Sequence, residues 1–127
     1  MGKKILVVDD EPFIVQMVTS RLKAAGYEPV SASDGEEGLV KARSENPDLI
    51  ILDVMMPKMD GFQVCATLKQ DQRYQKIPII IFTAKAGDEA RQTGLEECEA
   101  NAYMTKPFEA QALLAKISEL LAVKGEK

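Results

Sequence analysis

Leu49-Ile50-Ile51-Leu52-Asp53-Val54-Met55-Met56-Pro57 decides how the rest of the chain is read. Four consecutive aliphatic residues predict a strand buried on both faces, as in a parallel sheet covered by helices. An aspartate follows at once, then a turn containing proline. A carboxylate at the end of such a strand is costly to bury without a partner, so it calls for one or for a use. Three other segments repeat the pattern of an apolar run closed by polar groups: Ile5-Leu6-Val7-Val8 before Asp9-Asp10-Glu11, Ile79-Ile80-Ile81-Phe82 before Thr83, and Ala102-Tyr103-Met104-Thr105 before Lys106.

The 127 residues suggest one domain, large enough to hold a core without metal or disulfide staples. The chain is 46% hydrophobic and 28% charged with a net charge of −4, so it lacks the basic footprint of a nucleic-acid binder. No segment reaches the roughly 18 apolar residues of a membrane span, and no signal peptide is visible, so a cytoplasmic location is expected. The absence of histidine excludes His-based triads, His metal sites and His general bases. Cys65 and Cys98 fall in helical patterns without metal-ligand spacing and read as small core hydrophobes, with a disulfide as the open alternative.

Between the strands the spacing predicts helices. The first carries Ile14, Met17, Val18, Leu22 and Ala25 on one face and stops at Gly26. Tyr27–Ala32 is the second strand, and Pro29 puts it at an edge because proline cannot donate to a ladder. A short helix over about Glu36–Glu45 has a thin apolar face of Leu39 and Ala42 and stops at Asn46-Pro47. The third helix starts at Asp60-Gly61 and buries Gly61, Val64, Cys65 and Leu68; the fourth strand runs Ile77–Phe82. A fourth helix over about Asp88–Cys98 is mostly polar, with Ala90 and Gly94 as its small face, and is therefore easily shifted. The last helix aligns Leu113, Leu114, Ile117, Leu120 and Leu121. Five strands alternating with five helices imply an α/β fold: a doubly wound parallel sheet with helices on both faces. Ligands bind beyond the carboxyl ends of such strands, where Asp9, Asp10, Asp53, Thr83 and Lys106 all fall.

Three carboxylates gathered there repel one another unless a cation intervenes. Few oxygen ligands with no histidine or cysteine nearby favour Mg²⁺. Taken alone, Asp9-Asp10-Glu11 is equally an N-cap with favourable charge at a helix start. Thr83 and Lys106 alone are an ordinary strand end and a solvated cation, and Tyr103 alone is half-buried packing. It is their convergence that carries chemistry. An ionised Asp53 can attack phosphorus, with Lys106 and the Thr83 hydroxyl on the phosphoryl oxygens.

These motifs, with Leu52–Pro57, Asp60-Gly61, Phe82-Thr83-Ala84 and Tyr103-Met104-Thr105-Lys106-Pro107-Phe108, resemble the receiver domain of two-component response regulators over essentially the whole chain. The resemblance implies a flavodoxin-like sheet of order 2-1-3-4-5, in agreement with the edge position of Pro29. It implies that Asp53 is phosphorylated from a phosphohistidine on a sensor histidine kinase or a histidine phosphotransfer protein. Asp10, Asp53 and the Met55 backbone carbonyl would hold Mg²⁺ directly, and Asp9 would help through water. Thr83 and Tyr103 would form a switch pair, with Tyr103 turning inward on phosphorylation. The face of helix 4, strand 5 and helix 5 would then present a new surface to a downstream protein or a second copy. A cis Lys106–Pro107 bond is also implied. Met55 and Lys85 occupy two positions that govern phosphoryl lifetime in the family, and neither can orient an attacking water, so slow self-dephosphorylation is expected.

No separate substrate is expected; self-phosphorylation from small donors and self-dephosphorylation are the only turnover. A haloacid-dehalogenase-type phosphatase would need a second carboxylate two residues after the nucleophile, where Met55 stands. A flavodoxin-type electron carrier would need a hydroxyl- and glycine-rich loop where Asp9-Asp10-Glu11 stand. Residues 1–127 are expected to be a single receiver domain with no output domain. A complete single-domain regulator and the receiver of a longer DNA-binding regulator or hybrid kinase fit equally well.

Overall fold

A computed structural model describes residues 2–56, 59–84, 87–106 and 109–125. Its strands are β1 (Lys4–Val8), β2 (Glu28–Ala32), β3 (Leu49–Leu52), β4 (Ile79–Thr83) and β5 (Ala102–Thr105), all parallel in the order β2-β1-β3-β4-β5. The helices are α1 (Pro12–Ala24), α2 (Gly35–Glu45), α3 (Gly61–Lys69), α4 (Asp88–Gln92), which runs into a π-helical turn at Thr93–Glu97, and α5 (Ala110–Gly125). The expected edge position of Pro29 holds, because β2 pairs with β1 alone.

Strand alternation splits the apolar residues between two cores. Leu6, Val8, Ile50, Leu52, Ile79 and Ile81 face Leu39 and Ala42 of α2 and Val64, Cys65 and Leu68 of α3. Ile5, Val7, Leu49, Ile51, Ile80 and Phe82 face Val18 and Leu22 of α1 and Leu113, Ile117 and Leu121 of α5. Both faces of the sheet are therefore covered, which is why the three inner strands β1, β3 and β4 are largely apolar runs without polar alternation. Cys65 and Cys98 are buried free thiols, and burial, reinforced by Cys98, pushes the Cys65 thiol up to about 12. They are core residues, as their pattern suggested.

Some boundaries differ from expectation. Ala25 is exposed, because α1 ends at Ala24 and Gly26, with φ +94°, turns the chain away. The fourth strand starts at Ile79, since Ile77 closes a turn by donating its N–H to the Tyr74 carbonyl. The fourth helix is α-helical only to Gln92. The Thr93–Glu97 turn holds one residue too many for α-helical spacing, so the Cys98 N–H reaches back five residues to the Thr93 carbonyl at 2.9 Å. Two helix starts carry caps in the usual sense: Asp34 accepts from the Glu37 N–H, and Asp60 forms a capping box with Gln63.

Candidate functional site

Three strand-like backbone bonds continue one residue past the strands. The Asp9 N–H donates to the Ala32 carbonyl at 3.1 Å, the Asp53 N–H to the Val8 carbonyl at 3.0 Å, and the Lys106 N–H to the Thr83 carbonyl at 2.8 Å. Each of these three residues is thus held by sheet geometry although it lies outside the strand itself. Gly61 closes the floor from the other side. A Cβ there would overlap the Asp53 carbonyl, so only glycine lets α3 start so close to the β3 end.

Side chains from four separate segments meet at this edge. One carboxylate oxygen from each of Asp9, Asp10 and Asp53 lies within 4.8 Å of the others. The Lys106 ammonium stands among them, 2.9 Å from Asp9 Oδ2, 3.3 Å from Asp53 Oδ2 and 2.8 Å from Glu11 Oε1. Asp9 and Asp53 are buried and Asp10 is exposed, so the cluster opens to solvent on the Asp10 side. A cavity of about 240 Å³ lies there, lined by Asp10, Glu11, Asp53, Met55, Ala84 and Lys106. The Met55 N–H donates to Asp53 Oδ1 at 3.2 Å, which fixes one carboxylate oxygen, and the Met55 side chain is 58% exposed at the mouth.

The electrostatics follow from burial against pairing. Burial raises Asp9 above the ordinary carboxylate value of 3.8, and hydrogen bonds from the Glu11 N–H and Lys106 only partly offset it. Burial pulls Lys106 down, but its hydrogen bonds to Glu11 and Asp9 and the charges of Asp53 and Asp9 outweigh this and raise it. Lys106 therefore stays an ammonium at any ordinary pH. Among the described residues the one group of acidic side chains close enough to share a metal ion is Asp9, Asp10 and Asp53. An all-oxygen donor set with one open side suits a hard divalent cation that keeps waters.

The structure thus brings Asp9, Asp10, Asp53 and Lys106 to one point. Met55 stands beside them, and Thr83, wholly buried, ends β4 one strand away from Asp53. Tyr103 lies deeper, two residues before the end of β5, opposite Ile81 in the sheet. It is 4% exposed, so its ring already points inward here rather than being half-buried. Lys85, Pro107 and Phe108 lie outside the described residues, and with them the Lys106–Pro107 bond. Sequence reasoning missed Glu11 as a partner of Lys106. It read as a helix-start charge, and indeed it occupies the N-cap of α1, yet it makes no side-chain cap and reaches Lys106 instead. The available signal was its place two residues after a buried carboxylate, on the side where a cation has to enter.

Comparison with known proteins finds similarity in sequence and in fold. The family model described as the response regulator receiver domain matches residues 5–118. The alkaline phosphatase synthesis transcriptional regulatory protein PhoP of Bacillus subtilis is 48% identical over 95% of this chain and 49% of its own length. The chain spans about half the length of the first curated relatives it matches. A putative response regulator from Chloroflexus aurantiacus superposes with a TM-score of 0.91 at 35% identity, covering 96% of this chain and 99% of that one. The response regulator TrrA of Thermotoga maritima, solved in complex with Mg²⁺ and BeF, superposes with a TM-score of 0.83 at 36% identity, covering 93% and 98%.

Proposed function

Because this chain belongs to the response regulator receiver domain family, we propose that it is a phospho-accepting switch whose nucleophile is Asp53. Family membership sets aside the phosphatase and electron-carrier alternatives. An Asp53 carboxylate oxygen attacks the phosphorus of a phosphohistidine on a partner kinase or phosphotransfer protein. The P–N bond breaks, its electron pair stays on the imidazole nitrogen, and that nitrogen takes up a proton. The observation that carries this reading is the Lys106 ammonium lying within 3.3 Å of Asp53 Oδ2 at the mouth of a cavity large enough for a phosphoryl group.

Asp10, Asp53 and the Met55 carbonyl would hold Mg²⁺, with Asp9 behind them. When bound, the ion neutralises charge on the nucleophile and the phosphoryl oxygens. The residues of the chain do the rest. The Met55 N–H pins one Asp53 oxygen and leaves the other for attack. Lys106 takes a phosphoryl oxygen as a point charge, and Thr83 donates its hydroxyl to another. Thr83 and Tyr103 pass the change to the face of α4, β5 and α5, where a downstream protein or a second copy docks. Among the described residues no helix is long and apolar enough to cross a membrane.

A second reading concerns what is controlled. The similarity to a transcriptional regulator about twice as long favours a receiver that acts within a longer DNA-binding regulator. The test of the main reading is treatment with acetyl phosphate, with and without Mg²⁺, followed by intact mass. One phosphoryl group is expected only with Mg²⁺, and none on Asp53→Asn. Phosphate on the Asp53→Asn protein at the wild-type level overturns the assignment.

A further inference from the structure

We propose that Gly94 is the positioning residue that admits the Tyr103 ring to the core, so that the place of the ring and the seat of the π turn on the sheet are set together. The inference rests on the reading of Tyr103 as part of the switch, and deepens it.

Gly94 is buried inside the Thr93–Glu97 turn. A Cβ built on it would lie 2.7 Å from Tyr103 Cδ2, 3.1 Å from Tyr103 Cε2 and 3.0 Å from Ile81 Cδ1. The Ile81 methyl is the end of a flexible side chain and can yield. The aromatic ring is rigid and enclosed, so it can yield only by swinging out of the core. The backbone does not call for glycine here: unlike Gly26 and Gly87, Gly94 is not in the positive-φ region. In a helical segment glycine costs about 0.5–1 kcal/mol relative to alanine, so its presence is explained by space and not by conformation.

The alternative, in which the turn lifts and the ring stays, is opposed by anchors at both ends. The Cys65 thiol donates to the Cys98 carbonyl at 3.2 Å, and the Ala100 N–H donates to the Gly94 carbonyl at 2.9 Å. Ala90, one turn earlier, is buried in the same core as Tyr103. The wide turn itself is what brings a Cα over the ring: one extra residue shifts the helix face by part of a turn at this point. Glu96 and Glu97, on the outer side of the same turn, are exposed. Any step that moves the ring is therefore felt on the outer surface of this segment, and any side chain at position 94 competes with the ring for one volume.

The test compares wild type, Gly94→Ala, Tyr103→Ala and the double variant, all as the 127-residue chain. Tyr103 ring resonances in NMR report ring placement, and amide hydrogen exchange over residues 88–98 reports the turn. Gly94→Ala alone is expected to expose the Tyr103 ring and to speed exchange by about fivefold or more, the range of an overpacked core. In the Tyr103→Ala background the same change should slow exchange by about two- to fivefold, because only helix propensity is left. This reversal of sign is what a merely destabilising substitution does not give. An unchanged Tyr103 ring in Gly94→Ala, or faster exchange in both backgrounds, overturns the inference. Neither readout uses phosphate. A wild-type chain that fails to bind beryllofluoride with Mg²⁺ would count against Asp53 as acceptor and leave the steric result standing.

Discussion

At the scale of single residues, the site is governed by one cation shared among too many anions. Lys106 makes its shortest ion pair with Glu11, 2.8 Å, while its contact with Asp53 is 3.3 Å. Glu11 is mostly exposed, so this contact is worth little in stability, about 0.2–1 kcal/mol. Yet it draws the ammonium toward the rim and adds negative charge where an anionic donor must approach. Glu11→Gln is therefore expected to speed phosphorylation by acetyl phosphate about two- to fivefold, read from initial rates. Glu11→Asp keeps the charge and shortens the reach; matching Glu11→Gln would identify the contact, and matching wild type would identify the charge alone. Asp9 gives a pH-dependent prediction. The folded protein holds its proton more tightly than the unfolded chain does, so ionising it weakens the fold as pH rises above 3.8. Asp9→Asn should melt higher than wild type at pH 7, with the gain shrinking as pH falls toward 4. A gain that grows on acidification contradicts this. Met55, exposed at the mouth, carries a third: Met55→Asn brings in an amide able to orient water, and should shorten the phosphoryl lifetime severalfold in a decay assay.

At the scale of elements, what could be read in advance was what repeats. Ile5–Val8, Leu49–Leu52 and Ile79–Phe82 are runs of aliphatic or aromatic side chains, and burial on both faces leaves no other residue types to choose. The polar groups closing those runs were legible for the same reason, since each breaks a pattern at a definite place. Pro29 marked the edge because a missing donor has one safe position in a sheet. The π turn was not legible. One extra residue between Gln92 and Cys98 leaves composition and apolar spacing almost unchanged, and its effect exists only through the ring of Tyr103 packed against it. Ala25 failed for a related reason, because spacing alone does not say which turn of a helix is its last. The π turn also ends under strain. Glu99 follows it at φ +62°, a left-handed position that costs a side chain bearing a Cβ about 1–2 kcal/mol. Glycine there gives back part of the gain through a freer unfolded chain. Glu99→Gly is expected to stabilise the protein by about 0.5 kcal/mol, seen as a higher urea midpoint at unchanged slope. A lower midpoint would mean that the Glu99 side chain makes a contact that outweighs its backbone.

At the scale of the whole molecule, the acidic balance is uneven in its effects. The net charge is −4, and three carboxylates with one exposed side stand at the switch point of the sheet against, among the described residues, the Lys106 ammonium. The two aliphatic cores below supply the stability that holds like charges together. Any ion that binds the assembled cluster but not the unfolded chain adds to that stability by mass action, about 2.7 kcal/mol when its concentration is a hundred times its dissociation constant. For a domain of this size that corresponds to a rise in melting temperature on the order of 10 °C. Mg²⁺ is expected to produce this rise, and NaCl at matched ionic strength only a small part of it, because screening acts on all charges while coordination needs the cluster. Asp10 is the residue to remove, since its side chain is exposed and its loss leaves the core intact. Asp10→Asn should melt normally without the metal and lose most of the Mg²⁺-dependent rise. A rise that survives Asp10→Asn, or that NaCl reproduces in full, would mean that the three carboxylates are neighbours without being a binding site.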